Sequence, residues 1–131
     1  MSETCVEQLL AKLKIDPTTI VELYPALSKE NYLVFVRAGS TKELKSVEFL
    51  TYPSGGNIRE LPIFTSEKYP LFDQLKSQSG AEVMPVAGLL LFKRMREIIE
   101  DGKLELAINP GWEHGIRVNR SILLSVIAVA A

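Results

Sequence analysis

Few side chains in this 131-residue chain are of a type that could break or make a covalent bond. His114 is its only imidazole and Cys5 its only thiol. A hydrolase or transferase would need one of them in a cleft beside a second polar group, because a base must be positioned on a nucleophile before it can activate it. His114 sits between Trp112-Glu113 and Gly115 in a turn-rich stretch, and no Gly-x-Ser-x-Gly elbow accompanies it. One thiol cannot form an intramolecular disulfide, and no Cys/His group could enclose zinc. The carboxylates Glu97, Glu100 and Asp101 share a helical stretch with Lys93, Arg94 and Arg96. There the pairs Lys93–Glu97 and Arg96–Glu100, four residues apart, predict a solvated face and not a metal or phosphate site. Gly55-Gly56 joins two strands, which suits neither a P-loop nor a dinucleotide fingerprint.

Two segments remain as candidate sites. Phe64-Thr65-Ser66-Glu67 ends a predicted strand where a helix should begin. Free backbone N–H groups at such a point can hold a small anion, with Ser66 capping the helix as the purely local alternative. Glu67 works against the anion by placing a negative charge at the favourable helix end. Asn109-Pro110-Gly111-Trp112 follows a second strand and is expected at the same end of the sheet. Trp112 combines apolar bulk with a polar N–H and would suit a protein contact if exposed.

The elements that must position these segments are readable from periodicity. Val6, Leu9, Leu10 and Leu13 recur at helical spacing behind Ser2 or Thr4 as a cap. Asp16-Pro17 opens a second helix carrying Ile20, Leu23, Tyr24 and Leu27, which Pro25 should end or bend. Tyr32 to Val36 is a continuous apolar run and predicts a strand covered on both faces. Val47, Phe49 and Leu50 suggest a second strand, Pro53 to Asn57 a turn, and Ile58 to Phe64 a third strand in a hairpin. A helix with Tyr69, Phe72 and Leu75 inward comes next, with Pro70 in its first turn. Then follow a strand at Val83–Val86 and a helix from Gly88 with Leu91, Phe92, Met95, Ile98 and Ile99 inward, stopped by Asp101-Gly102. Leu104, Leu106 and Ile108 alternate with Glu105 and Ala107 as a strand, residues 115–118 are a short strand, and a last apolar helix starts at Asn119 or Ser121. The fold class is α/β (α+β): a mixed sheet of five to six strands with helices packed on it. Residues 1–28 form a helical segment and 29–131 the α/β part of one folding unit.

Composition agrees with a globular domain. Hydrophobic residues are 47% and charged residues 24% of the chain, and 15 basic against 16 acidic side chains leave a net charge of −1. That balance selects neither nucleic acid nor an acidic membrane nor a polycationic partner. The start of the chain lacks a basic segment leading into a long apolar run. The most apolar stretch, residues 122–131, is about half a membrane span. No membrane insertion and a cytoplasmic location are expected.

The two candidate segments also carry a resemblance. Leu61-Pro62-Ile63-Phe64-Thr65-Ser66-Glu67 resembles the P-x-F-T-S signature of the SseB N-terminal domain family, and Gly102 to Gly111 resembles its strand ending in Asn-Pro-Gly. The similarity extends from about Pro25 to Ser125. It implies a bacterial domain named for enhanced serine sensitivity, linked in places to secretion systems, with no catalytic residues to carry over. Larger members of the family add a C-terminal domain. The expectation is therefore a non-enzymatic module without cofactor or metal that binds an unidentified protein partner, or a second copy of itself through the apolar C-terminal residues Ile122, Leu123, Leu124, Val126 and Ile127. The rival expectation is a pocket for a small anion or amino acid formed by Phe64, Thr65 and Ser66 with Asn109, Pro110, Gly111 and Trp112.

Overall fold

The computed structural model describes residues 4–37, 48–78, 80–98 and 103–130. Helix α1 (Cys5–Leu13) starts at a reciprocal cap: Thr4 Oγ1 accepts from Glu7 N–H, and the Glu7 carboxylate accepts from Thr4 N–H. A single 3₁₀ turn (Pro17–Thr19), capped by Asp16, leads into α2 (Ile20–Lys29). Pro25 does not end α2, which runs on to Lys29. The proline removes one backbone donor, but Leu23 and Leu27 are buried on either side of it and hold the helix against the core.

Among the described residues six strands follow: β1 (Asn31–Arg37), β2 (Tyr52–Gly55), β3 (Ile58–Phe64), β4 (Ala81–Ala87), β5 (Leu104–Ile108) and β6 (Ile116–Val118). Helix α3 (Pro70–Lys76) lies between β3 and β4, α4 (Gly88–Ile98) between β4 and β5, and α5 (Arg120–Ala130) after β6. The sheet order is β4-β1-β3-β5-β6, and β2 pairs with the first half of β3. Among the described residues, only β3 and β5 are parallel neighbours. This is the mixed α/β sheet with packed helices that the periodicities predict.

The second strand is displaced from its expected place. Phe49 forms only an isolated bridge with Val36, Val47 lies outside the described residues, and the strand is Tyr52–Gly55. Pro53 and Gly55 belong to the hairpin and not to its turn. A register shift between them absorbs the proline, and the turn narrows to Gly56-Asn57, where Gly56 takes a φ of 56°. In α4, Glu97 pairs with Arg94 (2.7 Å) and not with Lys93; Ile99, Glu100, Asp101 and Gly102 lie outside the described residues.

The sheet divides the core in two. Tyr32, Val34 and Val36 of β1 alternate with Leu33 and Phe35, and Leu61 and Ile63 of β3 with Pro62 and Phe64. The first set packs against Val6 and Leu10 of α1, Leu23 and Leu27 of α2, Leu91, Phe92 and Met95 of α4, and Leu123, Val126 and Ile127 of α5. The N-terminal helices therefore share the main core, and the buried face of the C-terminal helix is spent there. Asn119 Oδ1 accepts from Ile122 N–H and starts α5. On the other face, Phe35 and Phe64 meet Tyr69, Phe72 and Leu75 around α3. Ala107 of β5 is buried along with Leu106 and Ile108, so the alternation expected there does not expose it.

Because Asn31 pairs with Ala87, the end of α2 meets the start of α4. Gly88 N–H donates to Glu30 O at 2.7 Å, and a Cβ on Gly88 would lie 2.6 Å from Leu27 O, 2.7 Å from Glu30 O and 3.0 Å from Ser28 O. Rigid carbonyls cannot yield as a flexible side chain can. Gly88→Ala should lower the unfolding free energy by about 2–3 kcal/mol, measured by urea titration. A variant as stable as the parent would show that this junction shifts freely.

Candidate functional site

Parallel pairing in register decides where the two candidate segments go. Ile63 of β3 is partnered with Ile108 of β5, so the chain leaves both strands at the same end of the sheet. Asn109 N–H continues the ladder to Ile63 O at 2.9 Å. The Asn109 side chain then crosses to the other segment. Its Oδ1 accepts from Thr65 N–H at 3.0 Å, and its Nδ2 donates to Thr65 Oγ1 at 3.0 Å and to the Tyr69 hydroxyl at 3.2 Å. Asn109 is fully buried with φ 50°, a conformation asparagine tolerates better than most residues with a side chain.

The network reaches a third segment. The Tyr69 hydroxyl donates to Glu7 Oε2 on α1, and Lys68 Nζ lies 3.1 Å from the same oxygen. Glu7 Oε1 accepts from Thr4 N–H at 2.7 Å, and the Glu7 side chain is only 2% exposed. Burial pushes the carboxyl group upward in pKa. The hydrogen bonds from Tyr69, the Thr4 backbone, Lys68 and Thr65 more than reverse this, leaving a pKa of about 2. Such a carboxylate is fully ionised at neutral pH and a poor proton acceptor. What it does is tie α1 to the ends of β3 and β5.

Not every residue of the two segments faces outward. Phe64 is a core residue, edge-on to Phe35 and Phe72. Ser66 does not cap α3: the helix begins at Pro70 behind Tyr69, and Ser66 Oγ instead accepts from Lys68 N–H at 3.5 Å within the approach loop. The reason is Pro70, which fits the first helical position and moves the start three residues along. Trp112 is half-buried, its ring 5.6 Å from that of Tyr69 and 4.9 Å from the edge-on ring of His114. His114 Nε2 faces Glu113 at 3.3 Å, and its buried Nδ1 has no hydrogen-bond partner among the described residues.

Beside Trp112 the sheet face that α3 covers elsewhere is left open. A cleft of about 330 Å³ lies there, walled by Leu71, Pro110, Gly111, Trp112 and Ile116 and floored by Glu60, Ala107 and Arg117. Arg117 is 3.5 Å from Glu60 and 3.9 Å from Glu105. Glu60 and Glu105 stand side by side in the parallel register of β3 and β5. A wider groove of about 590 Å³ runs between α1 and α2 over Val6, Leu9, Pro25 and Ala26, with the exposed thiol of Cys5 at its edge. It is remote in composition from the two segments and contains none of their residues.

Glu7, Tyr69 and the Glu60–Arg117–Glu105 group were not legible as site residues. The Thr4-x-x-Glu7 spacing signals a helix cap but says nothing about the tertiary partners that bury Glu7. No group of three or more His, Cys, Asp and Glu residues suited to a metal ion occurs among the described residues, and no described helix is long and apolar enough to cross a membrane.

Comparison with known proteins adds one finding. No curated protein and no solved structure matches the chain. A family model, that of the SseB protein N-terminal domain, matches residues 6–123. The match begins within α1, upstream of the Pro25 boundary that the motifs alone indicate, in keeping with the tie between Glu7 and Tyr69. With both signature segments inside the matched region and most of the sequence covered, the chain belongs to the SseB N-terminal domain family.

Proposed function

We propose that this domain is a non-enzymatic recognition module that binds a protein partner on the open shelf around Trp112. The observation that carries this reading is how the polar atoms of the two signature segments are used. Thr65 N–H, Asn109 N–H and both ends of the Asn109 side chain are satisfied by each other and by Ile63 and Tyr69. An anion would have to displace these bonds, and an unpaired buried donor or acceptor costs about 1–3 kcal/mol. Helix α3 adds no anchor, since it has seven residues and starts with a proline that has no N–H. The segments thus act as a frame, and the surface they present is Pro110, Gly111 and Trp112 next to Leu71 and Ile116. A half-buried tryptophan on a rigid backing is the kind of anchor that dominates protein contacts.

The test is affinity capture with the intact chain and with Trp112→Ala, after circular dichroism has shown both to be folded. The expected result is a partner recovered by the parent and reduced at least about tenfold by the variant, the usual size of a tryptophan anchor. Equal recovery by both would move the contact off this shelf.

A further inference from the structure

The charges on the floor of the cleft define what the shelf recognises, given the recognition reading above. Glu60 and Glu105 are largely covered, with side chains 18% and 21% exposed, yet neither accepts a hydrogen bond among the described residues. Each has only the guanidinium of Arg117, at 3.5 Å and 3.9 Å, longer than the 2.7–2.9 Å or so of a charge-assisted bond. Two like charges side by side on neighbouring strands repel, and one cation shared between them leaves an excess negative charge. Arg117 itself is 57% exposed and free to lean either way. If Glu60 turns to an incoming cation, Arg117 still has Glu105. The floor can therefore go from one shared cation to two separate ion pairs without leaving any group unpaired.

We propose that the cleft takes an arginine side chain from an extended segment of a protein partner, with its guanidinium on Glu60 and its methylene stem along Trp112 and Leu71. Arginine fits better than lysine for two reasons. A planar fork can bind a carboxylate through two parallel bonds, and a guanidinium stacks on an indole face while a hydrated ammonium prefers water. The chain's balanced net charge is no obstacle, because the complementarity is local to one side chain.

Trp112 is the only tryptophan, so its fluorescence reports on this cleft alone in the intact protein. The probes are the blocked peptide acetyl-Gly-Leu-Arg-Leu-Gly-amide, the same peptide with citrulline or lysine for arginine, and free agmatine. The expected result is a saturable change with the arginine peptide that weakens with added salt. Binding should fall at least about tenfold with citrulline, which keeps the shape and removes the charge, and by a similar factor in Glu60→Gln. Citrulline needs no change to the protein, so a folding defect in the variant cannot mimic the effect. Equal binding of the arginine and citrulline peptides, equal binding of the lysine peptide, agmatine binding as tightly as the peptide, or no saturable change with any probe would each overturn the proposal. If one of these occurs while a captured partner still depends on Trp112, the arginine inference fails and the recognition reading stands. If the arginine preference holds but no protein capture depends on Trp112, the cleft chemistry stands and the protein-partner reading fails.

Discussion

Replacing Asn109 with alanine is expected to destabilise the domain by about 4 kcal/mol. Two contributions add. The first is the loss of the side chain that satisfies Thr65 N–H, Thr65 Oγ1 and the Tyr69 hydroxyl at 3.0, 3.0 and 3.2 Å. These groups are buried or half-buried, so a lost partner leaves a desolvated polar atom, costing about 1–3 kcal/mol beyond the modest net worth of a neutral hydrogen bond. The second is conformational. A φ of 50° places alanine in the left-handed region, which costs about 1–2 kcal/mol for a residue with a Cβ and no local hydrogen bond to offset it. Asn109→Gly separates the two, because glycine removes the same side chain but relieves the backbone. Urea unfolding should order the three as asparagine, glycine, alanine, with glycine about 1 kcal/mol better than alanine. A loss below about 1 kcal/mol for glycine would mean that water replaces the side chain, and the segments would then not be a rigid frame.

The second large effect is pH-dependent and runs through Glu7. Its folded-state pKa is lowered from 4.5 to about 2. A depressed carboxyl pKa contributes stability that is complete above the unfolded value, near pH 4.5, and that disappears as the pH falls through 2. A shift of this size corresponds to about 3 kcal/mol at neutral pH. The side chain is almost wholly covered, so solvent screening takes little from that figure. Glu7→Gln keeps the shape and removes the charge. Its deficit relative to the parent should be about 3 kcal/mol at pH 7 and shrink towards zero near pH 2, measured by unfolding titrations at several pH values. A deficit that does not change with pH would show that shape, not charge, holds α1 to the Tyr69 loop. The same variant loosens the backing of Trp112, since Tyr69 lies between Glu7 and the indole.

Local patterns carried most of the elements. The stripe Val6, Leu10 of α1, the pair Leu23, Leu27 of α2 and the trio Leu91, Phe92, Met95 of α4 are all buried as their spacing requires, because a helix turns its side chains through a period that sequence alone reveals. The apolar run of β1 was readable for the same reason: a strand with cores on both sides has no polar face to alternate. Neighbours outvoted local preference where Pro25, instead of ending α2, sits inside a helix held by its buried flanks, and where Pro53 and Gly55 were drawn into a hairpin by pairing with β3. Ser66 lost the cap position for a local reason, the Tyr69-Pro70 start.

The sequence by itself determined the α/β class, the order of nearly all elements and the family signatures. It placed Thr65 and Asn109 at strand ends, which is a local property. Only the tertiary structure decided that β3 and β5 are parallel neighbours in register, which brings Asn109 to Thr65 and lines up Glu60 with Glu105, and that α1 docks with Glu7 against Tyr69. Glu7, the Thr65–Tyr69 loop and Asn109 are too far apart in the chain for any spacing rule to join them. Whether a glutamate is a solvated helix cap or a buried tie depends on what packs over it, and that is a property of the fold as a whole.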